Sequence, residues 1–107
     1  MKYLMGIIAA VALMFTNLTF AAVDMAASQA LAQKSGCMGC HKVDGKLVGP
    51  GFKEVAAKYK GNNKAEAMLI AKVTKGGTGV WGKIPMPPNA AVKPDDMKTL
   101  VSWVLAH

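Results

Sequence analysis

The chain has 107 residues and a formal net charge of +7 at pH 7, with 13 lysines, no arginine and six acidic residues. That length is enough for one domain and no more. The composition disfavours a nucleic-acid partner, because arginine is the side chain that makes bidentate contacts to phosphates and bases.

Residues 1–21 have the pattern of a secretory signal peptide. A basic residue precedes an apolar stretch over residues 4–15, and small residues put the cleavage site near Ala21 or Ala22. The apolar stretch is shorter than the ~20 residues that span a bilayer, which disfavours an uncleaved membrane anchor. We therefore expect an exported, soluble domain at residues 22–107 with no stable membrane insertion after cleavage. Export is a second argument against nucleic acid.

An all-α domain of about four short helices is predicted for residues 22–107, because strand signals are nearly absent and apolar residues recur at helical spacing. In chain order, the first predicted helix is capped by Asp24 or Ser28 and runs to Lys34, and the second runs from Phe52 to Tyr59. The third is capped by Asn62 or Asn63 and runs to Val73, and the last runs from Pro94 to Leu105. Glycines end the first three of them, at Gly36, at Gly61 and at the pair Gly76 and Gly77. Met68 and Met97 lie at helical spacing with other apolar residues, which predicts that both pack in the core.

Between the first two helices, the sequence GCMGCHKVDGKLVGP holds the only two cysteines, Cys37 and Cys40, directly before His41. The Cys-x-x-Cys-His pattern is the attachment signature of c-type haem. Both thiols add to the vinyl groups at one edge of the porphyrin, and the adjacent imidazole lies over the ring plane, where it ligates the iron. Attachment of this kind takes place outside the cytoplasm, in agreement with an exported chain.

Other uses of the cysteines fit the sequence less well. A disulfide across so short a loop would stabilise the fold weakly. A thioredoxin-like redox pair usually follows a strand, and no strand pattern precedes Gly36. A zinc site needs two further ligands, and the only other histidine is His107, which we expect to be solvated and to which we assign no role.

The second axial position of the iron decides between electron transfer and chemistry on a bound ligand. Met86 is the predicted ligand, because Pro85, Pro87 and Pro88 place its thioether in a stiff, non-helical loop. Ligation by His41 and Met86 would fill both axial positions of the iron. Such six-coordinate iron exchanges electrons and does not readily bind oxygen or peroxide. If Met86 only packs in a proline-rich turn, the alternative is a haem sensor or enzyme with a labile sixth ligand.

Three stretches of the sequence resemble the small soluble class I cytochromes c of bacteria, closest to the cytochrome c-551 group. They are GCMGCHKVDGKLVGPGFKEVAAKYKG, GVWGKIPMPPNA and a last helix that contains LVSWVL. The second stretch is highly specific, because a tryptophan, an isoleucine and three prolines surround the methionine in the order found in that family. The resemblance covers nearly all of residues 22–107 and implies the small cytochrome c fold, wrapped round one covalently attached haem c per chain.

The resemblance also implies how individual residues act on the haem. Cys37 and Cys40 would hold it by thioether bonds, and His41 and Met86 would bind its iron. Pro50 would present its backbone carbonyl to the other ring nitrogen of His41, which fixes the ring and raises its basicity.

Three further positions resemble residues around the haem in that family. Trp81 would donate a hydrogen bond from its indole to a haem propionate, and Asn89 would steady the methionine sulfur. Lys72 stands where related proteins have arginine, so it offers a charge without a planar fork. The sequence also has an extra residue near Ala90–Ala91, in the loop after Met86.

The family implies a one-electron carrier in the periplasm, between a membrane quinol-oxidising complex and a terminal reductase or oxidase. Lysines would ring the exposed haem edge and dock transiently on acidic surfaces of redox partner proteins, with strong salt dependence; they are Lys34, Lys42, Lys46 and Lys83. We expect a monomer, because a haem-wrapping core accounts for each apolar stripe. The competing classes are the haem sensor or enzyme, a thiol–disulfide oxidoreductase with free cysteines, and a structural domain without a redox role.

Overall fold

The computed structural model describes residues 23–107, and the predicted signal peptide with its cleavage site near Ala21 or Ala22 lies outside the described residues. The helices are α1 (Met25–Lys34), a 3-10 helix (Cys37–Gly39), α2 (Phe52–Lys58), α3 (Ala65–Lys75) and α4 (Pro94–Leu105). This architecture confirms the predicted all-α class. None of the helices within residues 23–107 has the length and apolar character needed to cross a membrane.

The helices begin and end close to the predicted residues. Asp24 caps α1 by accepting a hydrogen bond at Oδ1 from the backbone N–H of Ala27 (2.9 Å), while Ser28 lies inside the helix. The N-cap of α3 is Lys64, so the prediction that Asn62 or Asn63 caps this helix was wrong. Asn62 Oδ1 accepts from Lys64 N (3.0 Å), so its side chain stabilises the turn before the helix starts at Ala65. Pro94 is the first residue of α4, where its missing N–H costs no helical hydrogen bond.

Helix α4 is the centre of the domain, because α1, α2 and α3 all pack against it. Leu100 and Trp103 pack with Ala32 of α1 and Phe52 of α2 in one core cluster. A second cluster is formed by Met97 and Val101 of α4 with Val55 of α2 and Leu69 of α3. Burial of such large apolar side chains is the main stabilising term in so small a fold.

The two methionines predicted for the core differ in burial. Met97 is 1% exposed and packs in the second cluster, as predicted. Met68 is 44% exposed, so that prediction was wrong. The buried residues of α3 are Ala65 and Leu69, one helical turn apart. Met68 lies about 100° round the helix from Leu69 and faces solvent.

His107 is packed against the core and is not the solvated terminal residue that the sequence predicted. Its Nδ1 lies 2.8 Å from the backbone oxygen of Trp103, and its ring meets the Trp103 ring edge-on at 4.8 Å between centroids. Ala106 keeps a right-handed helical conformation at the C-cap. The chain therefore places residue 107 one turn above residue 103, where side chains four apart meet.

Candidate functional site

The end of α1 sets the position of the Cys-x-x-Cys-His segment. Gly36 has a φ of 81°, a left-handed conformation that reverses the chain after the helix at low cost. The oxygen of Cys37 then accepts hydrogen bonds from the backbone N–H of Cys40 (3.3 Å) and of His41 (3.0 Å). This turn brings Cys37, Cys40 and His41 to the lining of one cleft.

The imidazole of His41 is fixed by three neighbours. Its Nδ1 lies 2.8 Å from the carbonyl oxygen of Pro50, which can only accept a hydrogen bond, so the ring proton is on Nδ1. Phe52 stacks on the ring at 5.2 Å between centroids and 23° between planes. The backbone of Gly49 comes so close that a Cβ there would overlap Cε1 and lie 2.8 Å from Nδ1. The lone pair of Nε2 is the one that remains for a metal ion.

Met86 is held at its backbone by the end of α3. Gly77 and Met86 form an isolated antiparallel bridge, in which Gly77 N donates to Met86 O (3.0 Å) and Met86 N donates to Gly77 O (2.8 Å). Gly76, the C-cap of α3, has a φ of 73° and its Cα faces the same loop. A Cβ at Gly76 would overlap Met86 O and lie 2.8 Å from Pro88 N. The loop is therefore fixed by backbone contacts, in addition to the stiffness of its prolines.

The cleft between these segments contains about 1290 Å³ of space outside the protein atoms, part of it open to solvent. Its lining includes both cysteines, His41 and Met86, together with core side chains such as Phe52. Large apolar side chains in its lining are only partly covered by protein: Val80 is 52% and Ile84 65% exposed.

These features fit the predicted cofactor. Exposed apolar residues around an apolar cleft indicate a site for a large apolar group. A haem has that character, and the donors that its attachment and ligation require line the same walls.

Charges on the cleft are positive. Its lining contains Lys46, Lys72 and Lys83 and no acidic side chain of residues 23–107. Two of the four lysines predicted to ring the haem edge, Lys46 and Lys83, therefore lie at the cleft. Lys34 and Lys42 are exposed but lie outside its lining.

Trp81 and Asn89 have different surroundings. Trp81 lines the cleft and is 38% exposed, with the ammonium of Lys58 at 5.6 Å from its ring centroid. Asn89 donates from Nδ2 to the oxygens of Pro87 (3.1 Å) and Val73 (3.4 Å), so its amide ties the methionine loop to α3. Residues 90 and 91, where the sequence analysis places an extra residue, lie in a turn in which Val92 N donates to Asn89 O (3.2 Å).

The two cysteines of the motif differ in burial. Cys37 is half-buried and Cys40 is exposed. Loss of solvent on burial raises the pKa of the Cys37 thiol, against a smaller opposing effect of a backbone hydrogen bond. Redox-active cysteines of the Cys-x-x-Cys type have a lowered pKa, because the thiolate is the nucleophile. The environment of Cys37 therefore disfavours thiol–disulfide exchange.

Sequence reasoning missed several residues that build the site. Gly49 and Phe52 hold the His41 ring, and Gly76 and Gly77 hold the Met86 loop. The Gly-Gly pair was visible as the end of a helix. Its contact with a loop ten residues further along carries no local sequence signal.

Residues 25–107 match the protein family described as Cytochrome c. The chain is 53% identical over 91 residues to "Cytochrome c-551" of Allochromatium vinosum, covering 85% of this chain and 96% of that protein. It is 50% identical over 79 residues to "Cytochrome c-551" of Pseudomonas aeruginosa, covering 74% of this chain and 75% of that one. The crystal structure of wild-type Nitrosomonas europaea cytochrome c552 superposes with a TM-score of 0.71 at 46% identity, covering 73% of this chain and 96% of that one.

Proposed function

Because this chain belongs to the cytochrome c family, a group of haem electron carriers, we propose that it is a soluble periplasmic one-electron carrier with His41 and Met86 as axial ligands of the iron. Membership brings a covalently attached c-type haem and an electron-transfer role in place of enzymatic chemistry. When bound, the haem supplies the redox step, a one-electron exchange between ferric and ferrous iron.

One observation carries the ligand assignment: His41 and Met86 line the same cleft, and each is held by hydrogen bonds that leave its donor atom unused. His41 is fixed through Nδ1, so Nε2 is its ligating atom. Met86 is fixed through its backbone N and O, so its thioether sulfur is not engaged by the bridge. A soft sulfur donor and an imidazole are ligands that suit haem iron.

Cys37 and Cys40 provide the covalent link. Each S–H would add across one vinyl C=C, with sulfur bonding to one carbon and hydrogen to the other, so that two thioether bonds would form with no net oxidation. The half-buried Cys37 and the exposed Cys40 both line the cleft. With a haem in the cleft, the apolar walls would keep water away from the iron. Pro50 keeps the proton on His41 Nδ1 and strengthens Nε2 as a donor.

The partners in this proposal are acidic surfaces of a donor and an acceptor, such as a membrane quinol-oxidising complex and a terminal reductase or oxidase. Lys46 and Lys83 at the cleft support it, because positive charge beside the cofactor steers encounter with negative surfaces. Contacts of this kind are small and transient. The carrier would act as a monomer.

The proposed ligation is tested by optical spectra of the protein after expression with its leader, oxidised and reduced, before and after acid–acetone extraction. We expect sharp reduced bands that survive extraction and a weak near-infrared methionine-to-iron band in the oxidised form. Met86→Ala should abolish that band, while Met68→Ala, on the exposed face of α3, should keep it.

Each alternative class has its own spectral result. A haem that stays attached but lacks the methionine band in the parent protein would support the sensor or enzyme with a labile sixth ligand. A colourless protein would support a thiol–disulfide oxidoreductase that uses Cys37 and Cys40, or a structural domain without a redox role. Recovery of the coloured protein in the periplasmic fraction tests export.

The docking proposal is tested by stopped-flow electron transfer with a redox partner that has an acidic surface. We expect the second-order rate constant to fall steeply as ionic strength rises, since salt screens charges within a Debye length of about 10 Å at 0.1 M. Replacement of both Lys46 and Lys83 by glutamine should lower the low-salt rate and flatten its salt dependence. A second-order rate constant that does not change with ionic strength would contradict the docking proposal.

A further inference from the structure

Lys58 is the last residue of α2, and its side chain reaches the wall of the cleft through Trp81. Its ammonium nitrogen lies 5.6 Å from the centroid of the Trp81 ring and 5.9 Å from that of Tyr59. A cation within about 6 Å of an aromatic centroid is attracted by the ring's electron distribution. Lys58 is otherwise exposed, so the indole of Trp81 is the contact that draws it toward the cleft.

The ammonium of Lys58 has no carboxylate partner within residues 23–107. The one ion pair found in that part of the chain joins Lys53 to Asp44, at 3.6 Å. Trp81 itself lines the cleft, and its indole N–H is a donor only. The indole N–H donor of Trp81 and the unpaired ammonium of Lys58 therefore lie close together at one wall of the cleft. The lining of that cleft has no acidic residue in the described part of the chain.

From this juxtaposition we propose that Lys58 is a positioning residue for the cofactor, the cation that accompanies Trp81 in holding a haem carboxylate. The inference rests on the proposed function, because it needs a haem in the cleft. A carboxylate has two oxygens, so it can accept from the indole N–H and from an ammonium at the same time. The ammonium of Lys58 lies over the Trp81 ring, so both groups would face the same carboxylate.

Among the lysines that line the cleft, Lys72 is the alternative cation to act with Trp81. Its ammonium lies against the backbone of Gly77, where an added Cβ would be 2.7 Å away. Gly77 forms the bridge to Met86, so Lys72 is turned toward the methionine loop. Lys58, whose ammonium lies over the indole, is therefore better placed than Lys72 to act together with Trp81.

A cation at this position has a measurable electrostatic effect. It stabilises the ionised form of a nearby carboxyl group and so lowers the pKa of that carboxyl. It also favours the ferrous state, which carries one positive charge fewer than the ferric state. Because Lys58 is exposed, salt should weaken both effects.

The test compares holoprotein of the parent, Lys58→Gln, Lys58→Arg and Lys60→Gln by potentiometric titration across pH 5–8 at low and high ionic strength. Lys60 is the control, since it is exposed, lies two residues away and lines a different groove at the C-terminal side. We expect Lys58→Gln to lower the ferrous-to-ferric ratio at fixed potential about two- to threefold, which corresponds to ~20–30 mV for one electron. Its carboxyl-linked pH transition should move to higher pH.

Lys58→Arg should retain the parent potential and pH profile, because it keeps the charge and can keep a cation over the Trp81 ring. Equal potentials and pH profiles in Lys58→Gln and Lys60→Gln would overturn the role of Lys58, as would an arginine variant that behaves like the glutamine one. A parent protein without covalent haem would overturn the proposed function itself. Covalently attached haem together with equal potentials in Lys58→Gln and Lys60→Gln would contradict the role of Lys58 and leave the proposed function intact.

Discussion

Gly77 and Met86 exchange both of their backbone hydrogen bonds, at 3.0 and 2.8 Å, and so join the end of α3 to the methionine loop. The neighbouring Gly76 makes this contact possible, because any side chain there would overlap the oxygen of Met86. The position of the methionine thus depends on a residue without a side chain ten positions earlier.

Gly76→Ala should weaken the ligation by Met86. The new Cβ pushes the loop away from α3, and it also forces an L residue into a φ of 73°. We expect the near-infrared methionine-to-iron band of the oxidised protein to be lost or strongly reduced. Thermal unfolding should show a loss of more than about 1–2 kcal/mol, the cost of the left-handed conformation alone.

Gly61→Ala is the matched control for this change. Gly61 also has a left-handed φ, of 77°, but an added Cβ there meets no atom within 4 Å. It should lose about 1 kcal/mol of stability and keep the methionine band. Equal loss of the band in both variants, or its retention in Gly76→Ala, would contradict the proposed dependence of Met86 on Gly76.

Gly49→Ala should disturb His41 from the other side of the cleft. A Cβ at Gly49 would overlap Cε1 of the imidazole, so the ring must turn and loses its bond to Pro50 O. We expect a lower yield of covalent haem and a midpoint of guanidinium unfolding reduced by the equivalent of about 1–3 kcal/mol.

Gly39→Ala is the control for that change, because it lies in the same segment and an added Cβ has no atom within 4 Å. Its haem content and unfolding midpoint should stay near those of the parent. If Gly49→Ala also matches the parent in both measurements, the close packing of Gly49 on His41 is not needed to hold the ring.

Local patterns predicted most of the fold because they are set by neighbours in sequence. The cap of α1 by Asp24, the start of α4 at Pro94 and the burial of Met97 follow from side-chain chemistry and helical spacing. Met68 was misjudged because the apolar spacing of α3 did not reveal which face packs on α4. That face is set by Ala65 and Leu69.

The candidate site was predicted where a motif carries the chemistry, and missed where distant segments meet. The Cys-x-x-Cys-His segment and the proline-rich loop around Met86 can be recognised as sequences. The approach of Gly49 to His41, and of Lys58 to Trp81, depends on how loops lie over the helices. The same holds for His107, which packs on Trp103 because Ala106 keeps a helical conformation after the end of α4.

Ser28→Ala should stabilise the protein. Ser28 is 1% exposed in α1, and within residues 23–107 its hydroxyl has no hydrogen-bond partner. A buried hydroxyl without a partner costs about 1–3 kcal/mol, and alanine is also the better helix former. We expect guanidinium unfolding of the holoprotein to show a gain of about 1 kcal/mol.

Ser102→Ala provides the contrast, since the Ser102 hydroxyl donates to Glu66 Oε1 at 3.4 Å and links α4 to α3. Its removal should leave stability unchanged or slightly lower it. A clear loss of stability in Ser28→Ala would mean that the Ser28 hydroxyl has a partner after all, such as an ordered water, and would contradict the expected gain.

His107→Ala should lower stability although it changes only the last residue. The variant loses the edge-on contact with Trp103 and the hydrogen bond between Nδ1 and the Trp103 oxygen. An aromatic pair contributes about 0.5–1.5 kcal/mol and a hydrogen bond about 0.5–1.5 kcal/mol, so we expect a loss of about 1–2 kcal/mol in guanidinium unfolding. His107→Phe separates the two terms, because a phenyl ring keeps the aromatic contact and lacks the donor. It should lie between alanine and the parent. If the alanine variant unfolds at the same guanidinium concentration as the parent, His107 contributes nothing through its contact with α4 and behaves as the solvated residue that the sequence predicted.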